Sequence, residues 1–219
     1  MIIVKDCSIE KIIYKAFVKL YKSSKLVTDP EILKEEPAVL ILKYDKNSPD
    51  TVIDISNNIV NSRFDYKLFF PWLKSDKINI ELDYWGELLL STNLILILGN
   101  HLQNHKNSRR AIFNMWHDTF LEDLDKGAAC ITQIYFRIKG NKLEMHTHAR
   151  ANDVYECMLL DLHIMQYIHY SVSKMINLKL GEHLHFIDSM QLYKKNYIEI
   201  DKQYKYMIQN KSIWRNLFI

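Results

Sequence analysis

Glycine and proline are scarce in this chain, five and four among 219 residues, which leaves no room for a long flexible linker or a low-complexity tail. Cysteine is scarcer still. Cys7, Cys130 and Cys157 are odd in number and far apart, so they make neither a disulfide framework nor a paired-thiol metal site, a usage that fits a reducing cytoplasm. Apolar runs such as Leu94–Leu98 are far too short to span a bilayer, and the opening MIIVKDCSIEKIIYK carries charges through its apolar stretch instead of a signal-peptide core. No internal repeat is found. The formal net charge is only +3 and the lysines are scattered, so composition implies neither a nucleic-acid nor a membrane surface. A small anionic ligand needs only two or three basic side chains and stays open. The expectation is a soluble cytoplasmic protein with one domain over residues 1–219.

Apolar residues at Ile9, Ile12, Ile13, Ala16, Phe17 and Leu20 give Ile2–Tyr21 a helical period. Ala38–Leu42 reads as a buried strand. Residues 51–83 are weakly patterned. Asn93–His105 puts Leu94, Leu98 and Leu102 on one helical face, with Asn93 as a possible N-cap. AIFNMW is strand-like. Residues 129–150 predict a β-hairpin turning at KGNK. Leu159–Asn177 carries Ile164, Ile168, Val172 and Met175 on one stripe and predicts a central helix ending near Gly181, before a strand over His185–Tyr193. Strands mixed with one long buried helix, without regular βαβ alternation, predict an α+β fold.

Several residues carry chemistry, each with a plainer reading beside it. Arg109 and Arg110 follow Ser108 between a helix and a strand, where guanidinium forks suit a phosphomonoester or simply face solvent. Cys130 is a nucleophile or a small buried hydrophobe; Arg150, at the end of the facing strand, would lower its thiol pKa if close. Asp153 reads as a helix cap and Asp161 as a buried, paired carboxylate. His146-Thr147-His148 alternates on a strand and would need His163 or His169 to hold a metal; hydrogen-bonded histidines are commoner, and no metal is expected.

Taken in order, SRRAIFNMW, a cysteine-bearing strand, RANDVYECMLLD, a long helix and LGEHLHFIDSMQLY closely resemble the thymidylate synthase and pyrimidine hydroxymethylase superfamily. That family has SRR-x-I-x-x-x-W, a catalytic cysteine, R-S-x-D, G-x-P-x-N opening the central helix, and D-x-H-x-Y. The resemblance spans residues 84–197, with Gly181 also falling on a family glycine, and implies a mixed sheet packed on the central helix. It further implies a homodimer through the sheet, a pyrimidine nucleoside monophosphate as substrate and methylenetetrahydrofolate as one-carbon donor. Cys130 falls on the nucleophile and Arg150 on a phosphate ligand; Arg109 and Arg110 would reach the phosphate in the partner subunit. Asp153 would lie toward the folate, and Gln191 and Tyr193 would face the sugar.

Departures from the pattern are informative. Asp161 stands where thymidylate synthase reads uracil with an asparagine, and the same exchange distinguishes cytidylate hydroxymethylases. This implies CMP or dCMP as substrate. A compact synthase acting on dUMP and a silent nucleotide-binding homologue are the alternatives. Ile131 replaces the histidine after the nucleophile, Ala151 the serine after the arginine, and Glu156–Leu160 the G-x-P segment. Ser189 and Gln191 replace the aspartate and histidine of D-x-H-x-Y. Glu81 and Glu87, near Tyr84-Trp85-Gly86, are candidates for the family's general acid.

Overall fold

The computed structural model describes residues 1–23, 27–44, 93–116 and 129–209, with the backbone of two further strands. In chain order the elements are β1 (Ile2–Asp6), α1 (Ile9–Tyr21), β2 (Ile32–Lys43), β3 (Thr51–Asp54), β4 (Ile59–Ser62) and α2 (Leu94–Asn104). They continue with β5 (Ile112–Asn114), β6 (Ile131–Lys139), β7 (Lys142–Asp153), α3 (Met158–Met175), β8 (Lys179–Tyr193) and, after a 3-10 turn, α4 (Tyr197–Gln209). Six strands form one mixed sheet in the order β1-β2-β8-β7-β6-β5, and β3 pairs with β4 apart from it. β1 runs parallel to β2 and β7 parallel to β8; the other neighbours in the large sheet are antiparallel. The fold is therefore α+β, as the element pattern predicts.

Strand alternation decides which face is core. In β7, Leu143, Met145, Thr147 and Ala149 are buried beneath α3, while Glu144, His146 and His148 point the other way and are half-exposed. Thirteen of the eighteen α3 residues are buried, because α1, α2 and β3 flank it as well as the sheet. The opposite sheet face presents Val39, Ile41, Leu184 and Phe186 with Ile3 beside them, and among the described residues no helix lies on it. Nor, among these residues, is any helix long and apolar enough to cross a membrane.

Three local expectations change. Ile2–Asp6 is a strand, because its backbone groups pair with Ala38–Leu42; the helix begins at Ile9, capped by the Ser8 hydroxyl accepting from Lys11 N. Asn93 does precede α2, but in the left-handed region (φ 48°) and without a side-chain cap bond. The central helix ends at Met175, turning through Asn177 at φ 54°, and Gly181 lies inside β8. A Cβ at Gly181 would stand 2.5 Å from the Leu143 carbonyl oxygen, so the β7–β8 approach requires glycine there. Tyr84-Trp85-Gly86, Glu81 and Glu87 lie outside the described residues.

Histidines occupy the core under β7 and β8. His183, His185 and His169 are fully buried. The Thr147 hydroxyl bridges His183 Nε2 at 2.8 Å and His185 Nδ1 at 2.7 Å, and His169 Nε2 bonds the Leu143 carbonyl at 2.7 Å. Burial disfavours their charged forms, pushing His169 down to about 4 and His185 down to about 3. It pushes His183 well below its ordinary value too, and the neighbouring His185, His169 and His146 add repulsion. The unfolded chain therefore takes up protons first, near pH 6.5, while the folded chain resists them. Stability should hold above pH 6.5 and fall steadily between pH 6.5 and 4. Urea-unfolding midpoints measured across that range check this, and a midpoint flat to pH 4 would contradict it.

Candidate active site

One end of the sheet gathers most of the singled-out residues. β6 begins there just after Cys130, while β7 and β8 end there together, with Ala151 opposite Ser189 and Asp153 opposite Gln191. The N-terminus of α3 follows four residues after β7, and its unpaired amides carry partial positive charge.

Cys130 is exposed, so the reading of a buried apolar filler is set aside. Its position is held by β7: Arg150 N donates to the Cys130 carbonyl at 3.0 Å, and Arg150 Nε to the Ala129 carbonyl at 3.3 Å. The Arg150 guanidinium also lies over the Trp116 ring, 5.9 Å from its centroid. Asp153 is a turn former and not a helix cap: its Oδ1 accepts from Tyr155 N at 2.7 Å and Glu156 N at 3.1 Å in the turn before α3, whose own N-cap is Cys157. Glu156 then ties that turn to the segment after β8 through Asn196 Nδ2 at 2.8 Å.

Asp161 sits in the first turn of α3, buried, and its Oδ2 accepts from Asn152 Nδ2 at 3.0 Å. Gln191 and Tyr193 lie on β8, and Tyr193 OH donates to Gln191 Oε1 at 3.0 Å. Gln191 Nε2 donates to Ser189 Oγ at 2.7 Å, and Ser189 Oγ in turn to Glu35 on β2. Burial raises the Tyr193 pKa, and the charges of Asp153, Cys130, Cys157 and Asp29 raise it further. Tyr193 therefore keeps its proton, and its hydroxyl lies within electrostatic reach of both Cys130 and Cys157.

Arg109 and Arg110 are not part of this cluster. They are exposed in the turn between α2 and β5, where Ser108 Oγ takes the Arg110 N–H at 3.0 Å and bonds His101 Nε2 at 2.7 Å. They line an open concavity with His101, His105 and Lys106. Phe136 N donates to the Ala111 carbonyl, so the pair sits level with the middle of β6. That is about six residues from Cys130, roughly 20 Å at the rise of a strand.

The histidines do not converge either. His146 and His148 are on the open sheet face, where His148 Nε2 lies 3.1 Å from Asp188 Oδ1, while His163 and His169 lie on α3 beneath the other face. His163 Nε2 is 3.6 Å from Glu10 of α1. Among the described residues no three His, Cys, Asp or Glu side chains are placed to hold a metal ion.

Sequence reasoning quoted Trp116 only as the end of SRRAIFNMW and gave Asn152 and Glu35 no role. Asn152 lies inside RANDVYECMLLD, where the spacing of the motif marks Asp153 and not its neighbour. Glu35 has no local signal, since only the β2–β8 register brings it opposite Gln191.

A solved thymidylate synthase from T4 phage is similar to this chain at 18% identity and a TM-score of 0.45. That likeness covers 50% of this chain and 38% of that one. The family model described as thymidylate synthase matches residues 91–212, more than half of the chain and nearly all of the site just described, and on that match the chain belongs to the thymidylate synthase family.

Proposed function

We propose that this protein is a cytidylate 5-hydroxymethylase, transferring a one-carbon unit from methylenetetrahydrofolate to carbon 5 of CMP or dCMP. In this reading the Cys130 thiolate adds to carbon 6, making carbon 5 nucleophilic. Carbon 5 attacks the methylene group and loses its proton, and the carbon–nitrogen bond to tetrahydrofolate breaks. Water then adds to the resulting exocyclic methylene, and expulsion of the thiolate frees a 5-hydroxymethyl product. No net oxidation or reduction is involved, and tetrahydrofolate leaves unchanged in redox state.

Asp161 carries the choice of base. An asparagine there donates to O4 and accepts from N3–H, the pattern of uracil. A carboxyl group accepts from the cytosine amino group and, through one shared proton, serves N3. The Asn152 amide holds the Asp161 carboxyl in the buried first turn of α3, which favours one fixed orientation toward a base. A mismatched polar pair in such a site costs on the order of 10⁴ in specificity. Exposure of Cys130 beside Arg150 and Tyr193 supports the nucleophile, since a silent binder needs no accessible thiol.

Dimerisation through the open sheet face is part of the same proposal. Two features favour it: the apolar residues Val39, Ile41, Leu184 and Phe186 on that face, and the distance of Arg109 and Arg110 from their own Cys130. A second subunit would bring that arginine pair to the phosphate, beside Arg150.

Tritium release from carbon 5 of labelled CMP, dCMP and dUMP, with methylenetetrahydrofolate, tests the reaction. Release is expected from a cytosine nucleotide; release from dUMP alone would make the protein a compact thymidylate synthase, and release from none a nucleotide binder. Cys130→Ala should abolish release while keeping nucleotide binding, and product from that variant would refute the mechanism. Asp161→Asn should shift preference toward dUMP, by about 100-fold or more in kcat/KM ratio; an unmoved ratio would remove Asp161 from base reading. Mixing Cys130→Ala protein with an Arg109→Ala/Arg110→Ala variant should restore roughly a quarter of wild-type activity by random subunit exchange. No recovery would overturn the sharing of the arginines between subunits.

A further inference from the structure

Four half-buried side chains run in a line across the β2–β8 pair: Tyr193, Gln191, Ser189 and Glu35. Glu35 lies opposite Gln191 in the strand register. An amide side chain standing alone has no fixed sense, because its oxygen and nitrogen ends are nearly the same size. The end of this line supplies one. A carboxylate only accepts, so the single Ser189 proton is committed to Glu35. Ser189 Oγ can then only accept from its other neighbour, which turns the Gln191 NH₂ toward Ser189 and its carbonyl toward Tyr193. Tyr193 in turn spends its one proton on Gln191.

Resting on the reading that Gln191 and Tyr193 face the sugar, we propose that Glu35 is a positioning residue that sets the hydrogen-bond polarity of the sugar subsite. Through Ser189 and Gln191 it leaves the Tyr193 hydroxyl able only to accept, so that the subsite selects a sugar hydroxyl that donates. Burial of Tyr193 and the charges near it keep its proton in place, as the line requires. The consequence is a carboxylate that touches neither base nor phosphate and yet decides which sugar substituents are admitted.

The test measures binding of CMP, dCMP and their analogues with fluorine in place of the 2′- or 3′-hydroxyl. Fluorine is close to hydroxyl in size and cannot donate. The unaltered protein should bind the hydroxyl form roughly tenfold more tightly than the fluoro form at one of the two positions. Glu35→Gln should reduce that preference below about threefold, because glutamine can either give to or receive from Ser189 and the line can reverse. Ser189→Ala should relax it equally with the Glu35 charge still present, which separates polarity from charge. Thermal unfolding midpoints close to that of the unaltered protein would exclude a general loosening. A preference unchanged in both variants, or relaxed in only one of them, overturns the proposal. Equal binding of hydroxyl and fluoro forms by the unaltered protein at both positions overturns the sugar-facing reading of Gln191 and Tyr193. Absence of binding by any cytosine nucleotide overturns the proposed function itself.

Discussion

The parallel pairing of β7 with β8 is the constraint on which the site depends. Its register sets Thr147 opposite His185, Ala151 opposite Ser189 and Asp153 opposite Gln191. Slipping β8 by one residue would turn every side chain to the other face, placing His183 and His185 on the open side and withdrawing Gln191 and Tyr193 from the site end. Gly181 permits the pairing where it starts, since a Cβ would meet the Leu143 carbonyl. The Thr147 bridge between two histidines pins its middle, and the Val154 N–H reaching the Gln191 carbonyl at 3.2 Å closes its end. A parallel pair needs a long crossover, and here the crossover is α3, which delivers Asp161 to the same end of the sheet.

Polar groups are tolerated under this sheet because each is neutral or held. The three core histidines stay uncharged by desolvation, at the cost of acid sensitivity. Asp161 is held by Asn152, and Asp153 by two backbone amides. An apolar core of similar volume would be more robust to acid, but it would fix neither the Asp161 carboxyl nor the turn into α3. The buried apolar pair Ala149 and Ile187 separates the histidines at mid-strand from the carboxylates at its end.

The division between the two ends of β6 has an equally direct cause. β5 is a three-residue edge strand antiparallel to β6, so residues before it run away from the Cys130 end as residues after it approach that end. Arg109 and Arg110 are thus carried to mid-sheet, while Met115 and Trp116 come toward Thr132 and Arg150. One short antiparallel pairing thus separates the arginines, and of the three Arg150 alone shares a sheet end with the thiol.

Residues with local periodicity or a fixed chemical type were legible in the chain itself. The β6–β7 hairpin turning at Gly140, the α3 stripe through Ile164, Ile168 and Val172, and the order of Arg109–Arg110, Cys130, Arg150, Asp161 and Tyr193 are all of this kind, because each rests on neighbours a few residues apart or on motif spacing. Tertiary structure decided what depends on distant partners. Ile2–Asp6 has a sequence equally suited to extend a helix, and its pairing with β2 makes it a strand. Cys130 stands at the exposed head of β6 even though the residues around it are apolar. The histidines of β7 and β8 are buried or partly exposed according to which face of the sheet their strand position meets. Glu35, 156 residues from Gln191 in the chain, reaches the site only through the β2–β8 register. Hydrogen-bonded pairing over that separation leaves no periodic trace in either segment, and so the chain alone names the chemistry while the sheet decides which groups share it.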